Sequence, residues 1–181
     1  VPNYLTFREA KGFVESLEEQ RAIKSAAASK ADKDTFLSHS SKDNELVPGV
    51  TLVLKNHGAN VYVDLGDDRL PDPPSVETAQ VLRDTVRDMK RFVLLVSPNS
   101  KGSVWIPWEL GLADGQKSPS SVALFPVIET VLETRWVEQE YLGLYNRVVW
   151  GKLEGYEQDV WMVYDHHTNT ARHLRKWIRG Y

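Results

Sequence analysis

The chain has 181 residues, an apolar fraction of 41% and a charged fraction of 26%, the composition of a globular protein with one main core plus an appendage, and not of a disordered chain. Its net charge is -3 and its pI about 6.0, so it lacks the broad cationic field that nucleic acid requires. The absence of cysteine excludes a disulfide framework, a thiolate metal site and a cysteine nucleophile together.

No apolar run approaches the ~18–20 residues of a membrane span, and no secretory layout opens the sequence. A reducing cytoplasm is the expected compartment, and Val1 in place of Met leaves room for an upstream stretch. Thr6 and Glu9 form a possible capping box, after which Phe7, Ala10, Val14, Leu17 and Arg21 recur at three- and four-residue steps. This predicts one amphipathic helix over residues 6–28 that buries Phe7, Val14 and Leu17. A small and charged run follows as linker, so residues 1–33 form an N-terminal helix and linker and residues 34–181 the main domain.

From there, short apolar runs alternate with longer helical patterns. Strands are predicted at 35–38, 60–64, 91–96, 122–128 and, more weakly, 147–150, with crossover helices at 44–57, 75–90 and 103–116. A further helix is expected within 129–146 and a closing one at 168–179. Such alternation implies an α/β fold, a doubly wound, flavodoxin-like, five-stranded parallel sheet covered on both faces, with the extra N-terminal helix.

Ligands of such sheets sit beyond the carboxyl ends of the strands, where the strand order reverses. That edge receives Ser38-His39-Ser40-Ser41-Lys42-Asp43, the segment 64–74, and Ser97-Pro98-Asn99-Ser100-Lys101-Gly102. Neither a Gly-x-Gly-x-x-Gly after the first strand nor a P-loop is present, so a nucleotide would not be held in those ways. Ser103 can cap the helix after the third strand and Pro107 fits its first turn. Trp105 and Glu109 are four residues apart, which places an aromatic ring and a carboxylate on one side of that helix near its mouth. Trp108 and Leu112 fall on another side and suit the core.

These residues resemble those of the Toll/interleukin-1 receptor (TIR) family. Asp34-Thr35-Phe36-Leu37-Ser38-His39-Ser40-Ser41-Lys42-Asp43 is similar to its first motif, Val61-Tyr62-Val63-Asp64 to its second strand, and Trp105-Ile106-Pro107-Trp108-Glu109 to the Trp-x-x-x-Glu of its enzymatic members. With 92–97, the resemblance covers roughly residues 34–128. It implies a flavodoxin-like fold and consumption of NAD+ by the glutamate of the last motif. Residues 67–74 would then be the loop after the second strand, which in this family also mediates self-association. Two parts depart from the family. Asp67-Asp68-Arg69-Leu70-Pro71-Asp72 matches the usual Arg-Asp-x-x-Pro-Gly only loosely, and the carboxyl-terminal Phe-Trp box has no counterpart beyond Lys176-Trp177. Adaptor members depend on those parts, whereas the enzymatic motif is intact. Standalone bacterial members of antiphage defence (Thoeris-like) turn NAD+ into signalling molecules read by an effector protein, or deplete it, and a short chain with one such domain resembles them.

Nicotinamide in NAD+ is already a cationic leaving group, so one carboxylate can suffice, unlike O-glycoside hydrolysis with its two. Glu109 is the catalytic candidate, either stabilising oxocarbenium-like charge or attacking the anomeric carbon. Trp105 is the candidate stacking platform. Ser38, His39, Ser40 and Lys42 are candidates for the ribose and phosphates, and Asp64 and Ser97 at strand ends complete the substrate-binding set. NAD+ is substrate here, and no resident cofactor is expected. His166, His167 and His173 lack a carboxylate-histidine metal motif, and Asp67, Asp68 and Asp72 read as a solvated loop, so no metal is expected. Trp136, Trp150, Trp161 and Trp177 read as packing residues. Two alternatives are a non-enzymatic scaffold acting by self-association and a nucleoside deoxyribosyltransferase-like enzyme. A receiver domain fits poorly, because Ser38-His39 and Ser97-Pro98 stand where it needs aspartates.

Overall fold

The computed structural model describes residues 2–63, 76–100, 103, 105–130 and 140–181. The chain opens with a two-residue strand β1 (Leu5–Thr6), and Thr6 then caps α1 (Phe7–Gly12) in a full capping box with Glu9. After residues 13–16 the chain restarts as α2 (Leu17–Ala27), capped by Ser16, whose hydroxyl accepts from the Glu19 amide at 3.4 Å. The single helix expected over 6–28 is thus two helices. Ser16-Leu17-Glu18-Glu19 repeats the capping signal of Thr6 to Glu9, and it starts a new helix in place of continuing the old one. Val14 is buried as expected and Phe7 packs partly on the core, but Leu17 is 70% exposed.

The core elements follow as β2 (Thr35–Ser38), α3 (Val47–Asn56), β3 (Val61–Val63), α4 (Val76–Asp88), β4 (Arg91–Val96), α5 (Trp105–Gln116), β5 (Val122–Ile128) and β6 (Asn146–Gly151). The sheet runs β3-β2-β4-β5-β6, all parallel. That order places the reversal between β2 and β4, as in flavodoxin-like sheets. Alternate strand residues serve two cores. Leu37, Val93 and Phe125 face α3 and the terminal elements, while Phe36, Phe92 and Leu94 face α4 and α5. One close approach requires a glycine, since a Cβ at Gly49 of α3 would lie 2.0 Å from the Ala10 carbonyl oxygen of α1.

Two elements differ from the sequence-based expectation at the carboxyl end. β7 (Val160–Asp165) and β8 (Thr170–His173) extend the sheet antiparallel beyond β6. The closing helix expected over 168–179 is therefore only α6 (Leu174–Arg179). A hairpin turn displaces its first part, with Asp165 Oδ1 accepting from the amides of His167 and Thr168 and Asn169 held at a φ of 54°. At the other end β1 pairs parallel with β5, Leu5 opposite Val127. Trp177 is buried and Trp161 packs on Phe125, but Trp150 is 37% exposed. Trp136 and most of the helix expected within 129–146 lie outside the described residues, and 140–144 form a 3-10 turn. None of the helices, among the described residues, is long and apolar enough to cross a membrane.

Candidate functional site

β2 ends at Ser38, opposite Leu94 of β4, so its side chain stands at the carboxyl edge beside the order reversal. α5 reaches the same place. Ser103 Oγ accepts from the Ile106 amide at 3.3 Å and sets the helix start, with Pro107 in the first turn where no intrahelical acceptor is lost. One turn further on, Glu109 is only 2% exposed, and the Ser38 hydroxyl donates to its Oε2. A carboxyl group buried this far is costly unless it is hydrogen-bonded, and Ser38 supplies such a bond across 71 residues of chain.

The loop after β2 is a compact polar turn. His39 is 2% exposed, with its Nε2 3.0 Å from Asn44 Oδ1. Ser40 caps the 3-10 turn Ser41–Asp43, its hydroxyl accepting from the Lys42 amide at 3.4 Å. Lys42 itself is exposed. At the end of the turn Asp43 is completely buried and accepts from Ser97 Oγ at 2.7 Å, Asn99 Nδ2 at 3.0 Å and Ser100 Oγ at 3.3 Å. The loop after β4 is thereby bonded to the loop after β2.

Of the residues singled out from the sequence, Ser38 and Glu109 meet directly, and His39, Ser40 and Lys42 lie on the adjoining turn. Ser97 is 1% exposed and spends its hydroxyl hydrogen on Asp43. Trp105 is the first residue of α5. Its side chain, Asp64 and the 67–74 loop with Asp67, Asp68 and Asp72 lie outside the described residues. Asp43, Asn44, Asn99 and Ser100 were not singled out. Their signal was three donor side chains in one loop facing a carboxylate in the other, which becomes a pattern only once the two loops are known to touch.

The remaining polar features sit elsewhere. His166 Nε2 and His167 Nε2 both approach the Gly143 carbonyl, at 2.7 and 3.0 Å, while His173 caps α6. Among the described residues no group of three or more His, Asp or Glu side chains is arranged to hold a metal ion. Burial, then the Arg147 guanidinium, holds the His166 imidazole below its ordinary range. A groove of about 1260 Å³ is lined by Tyr4, Ile128, Arg147 and His166 among others, and neither Glu109 nor Ser38 belongs to its wall.

A doubly wound sheet with a buried carboxyl group at its reversal point is the class of protein the fold defines, and the chain belongs to the TIR domain family, whose model matches residues 35–163. The chain is also similar to a probable 3' cyclic ADP-D-ribose synthase, ThsB', of Bacillus cereus (strain MSX-D12). The two are 34% identical over 151 residues, covering 81% of this chain and 75% of that protein.

Proposed function

We propose that this chain is an NAD+-cleaving TIR enzyme that breaks the nicotinamide–ribose bond, with Glu109 as its catalytic carboxylate. The observation that carries the reading is the placement of Glu109, 2% exposed and in contact with Ser38 at the edge where doubly wound sheets bind ligands. Burying a carboxyl group costs stability, and such groups cluster at functional sites. The similarity to a probable cyclic ADP-ribose synthase supports the same substrate.

As nicotinamide departs with the electrons of the C–N bond, positive charge grows on the ribose. Glu109 stabilises that charge, and does so more strongly where water is excluded. A ribose hydroxyl takes the place of Ser38 on the carboxylate. Trp105 is the stacking platform for the flat base, and Ser38, Ser40, Asp64 and the exposed Lys42 receive the ribose and phosphates. His39 and Ser97, already bonded to Asn44 and Asp43, contribute by bracing these loops. A second hydroxyl of the same NAD+ then bonds to the anomeric carbon and loses its proton, with Glu109 as acceptor, giving a cyclic ADP-ribose. Water in its place gives the linear product, and an enclosed carboxylate favours the cyclic one. We place this activity in cytoplasmic antiphage signalling, with self-association through the TIR domain and an effector protein that reads the product.

Incubation of the purified protein with NAD+, followed by mass spectrometry, tests the reading. Nicotinamide and a cyclic ADP-ribose, lighter than linear ADP-ribose by one water, are expected. Intact NAD+ after prolonged incubation with folded, concentrated protein would overturn it in favour of a scaffold.

A further inference from the structure

The site depends on two loops that approach from different strands, and one side chain joins them. Asp43 is completely buried, and its two oxygens accept three side-chain hydrogen bonds from residues 54 to 57 positions away. Hydrogen bonds to an ionised acceptor are stronger than neutral ones. The backbone of Asp43 is fixed as well, its amide donating to the Ser40 carbonyl and its carbonyl accepting from the Leu46 amide, both at 2.8 Å. On the facing loop the donors are themselves locked. Ser97 Oγ accepts from the Asn99 amide at 3.0 Å and Ser100 Oγ from the Ser97 amide at 3.0 Å.

We propose that Asp43 is a positioning residue for Glu109, setting the offset between the end of β2 that carries Ser38 and the helix that carries the carboxylate. The route is short on both sides. Towards β2 it runs through Ser40, two residues from Ser38. Towards α5 it runs through Ser100, whose carbonyl accepts from the Ser103 amide at 3.2 Å, and Ser103 caps the helix that presents Glu109. The Ser38 to Glu109 contact closes the ring from the other end. With Asp43 bonded, the two halves of the site have one relative placement. With an amide in place of the carboxylate, one oxygen still accepts from Ser97 and Asn99, but the charge is gone and Ser100 faces an NH2 donor, so the offset is set by weaker contacts. Asp43, completely buried, acts through the loops it joins.

This inference rests on the NAD+-cleavage reading. The test compares nicotinamide release by the full wild-type chain and Asp43→Asn across NAD+ concentrations, well below the melting midpoint of both. Misplacement of reacting groups by about an ångström costs up to about a hundredfold. The expected result is a kcat lower by about ten- to a hundredfold, with KM within about threefold of wild type. The exchange Asp43→Asn with Asn99→Asp restores a carboxylate–amide pair in reverse and is expected to recover part of kcat. A purely structural role would lower activity only in proportion to the unfolded fraction, and the exchange would not recover it. If Asp43→Asn does not fold, Asn99→Ala and Ser100→Ala each remove one donor and are read in the same way. Folded variants with kcat and KM within about twofold of wild type overturn the positioning role while leaving the catalytic reading intact. A wild-type chain that releases no nicotinamide overturns both.

Discussion

The two ends of the sheet use their side chains differently. Along the carboxyl edge of β2 and β4 and on α5, the buried residues include Ser38, His39, Ser40, Asp43, Ser97 and Glu109. In the antiparallel extension of β6, β7 and β8 with α6, the buried polar side chain among the described residues is Arg147. The extension invests instead in rings. Trp150 and Trp161 lie 5.5 Å apart, Trp161 packs on Phe125, and Arg91 sits 5.1 Å over Trp177. Burying polar groups costs stability and burying rings gains it. Substitution at the edge should therefore change chemistry, and substitution in the extension should change stability.

The largest effect expected from this contrast is Trp177→Ala. Trp177 is 2% exposed, and its Nε1 donates to the Ser120 carbonyl at 2.7 Å while its own carbonyl accepts from Arg91 Nε at 2.7 Å. Truncation of a buried tryptophan typically costs about 3–5 kcal/mol. Chemical denaturation should show that loss, with kcat per folded molecule unchanged. A stable variant with impaired turnover would erase the contrast.

Glu109→Gln should do the reverse. The amide keeps size and can still accept from Ser38, but it removes the negative charge, which is worth ~3–4 kcal/mol at the transition state, or roughly 100- to 1,000-fold in rate. Because a neutral amide is cheaper to bury, the melting temperature should equal or exceed that of wild type. Nicotinamide release within threefold of wild type, with unchanged melting, would remove Glu109 from the chemistry.

The five parallel strands were legible because apolar runs such as Arg91–Val96 and Val122–Ile128 are bounded by turn residues and separated by helical patterns. The contact of Ser38 with Glu109 follows from their strand-end and helix-start positions, once the order reversal is assumed. The break between α1 and α2 was present in the sequence as the second capping signal at Ser16, but a continuous helical period overrode it. Val160-Trp161-Met162-Val163-Tyr164 is rich in strand-forming residues, yet β7 lies outside the alternation of parallel strands and crossover helices because it pairs antiparallel on both sides. The role of Asp43 was not legible from its loop. Nothing local marks an aspartate whose partners lie beyond fifty residues, since such bonds are set by tertiary contact and not by spacing.

The smallest expected effect concerns the extension's histidines. His173 Nδ1 accepts from the Arg175 amide at 3.1 Å and so caps α6, while its ring stacks on Tyr156 and lies 5.8 Å from the His57 ring. Burial holds the His173 imidazole below its ordinary range, aided by His57, Arg175 and Lys176. His57 is lowered by burial too, against the hydrogen bond to the Val53 carbonyl that opposes the shift, and Arg175 lowers it further. The folded chain thus binds fewer protons than the unfolded one below the ordinary histidine value of 6.5. Stability is full above that value and is lost as pH falls from it through the lower folded-state values. Protonation of Nδ1 also removes the cap acceptor, and because the group is still partly open to solvent the cost should be at most about 1 kcal/mol. The melting temperature should fall on acidification from neutral pH to about 5.5, and His173→Asn, which caps without titrating, should reduce that slope. A melting temperature independent of pH across this range, or an unchanged slope in the variant, would show that the cap is not where protonation acts.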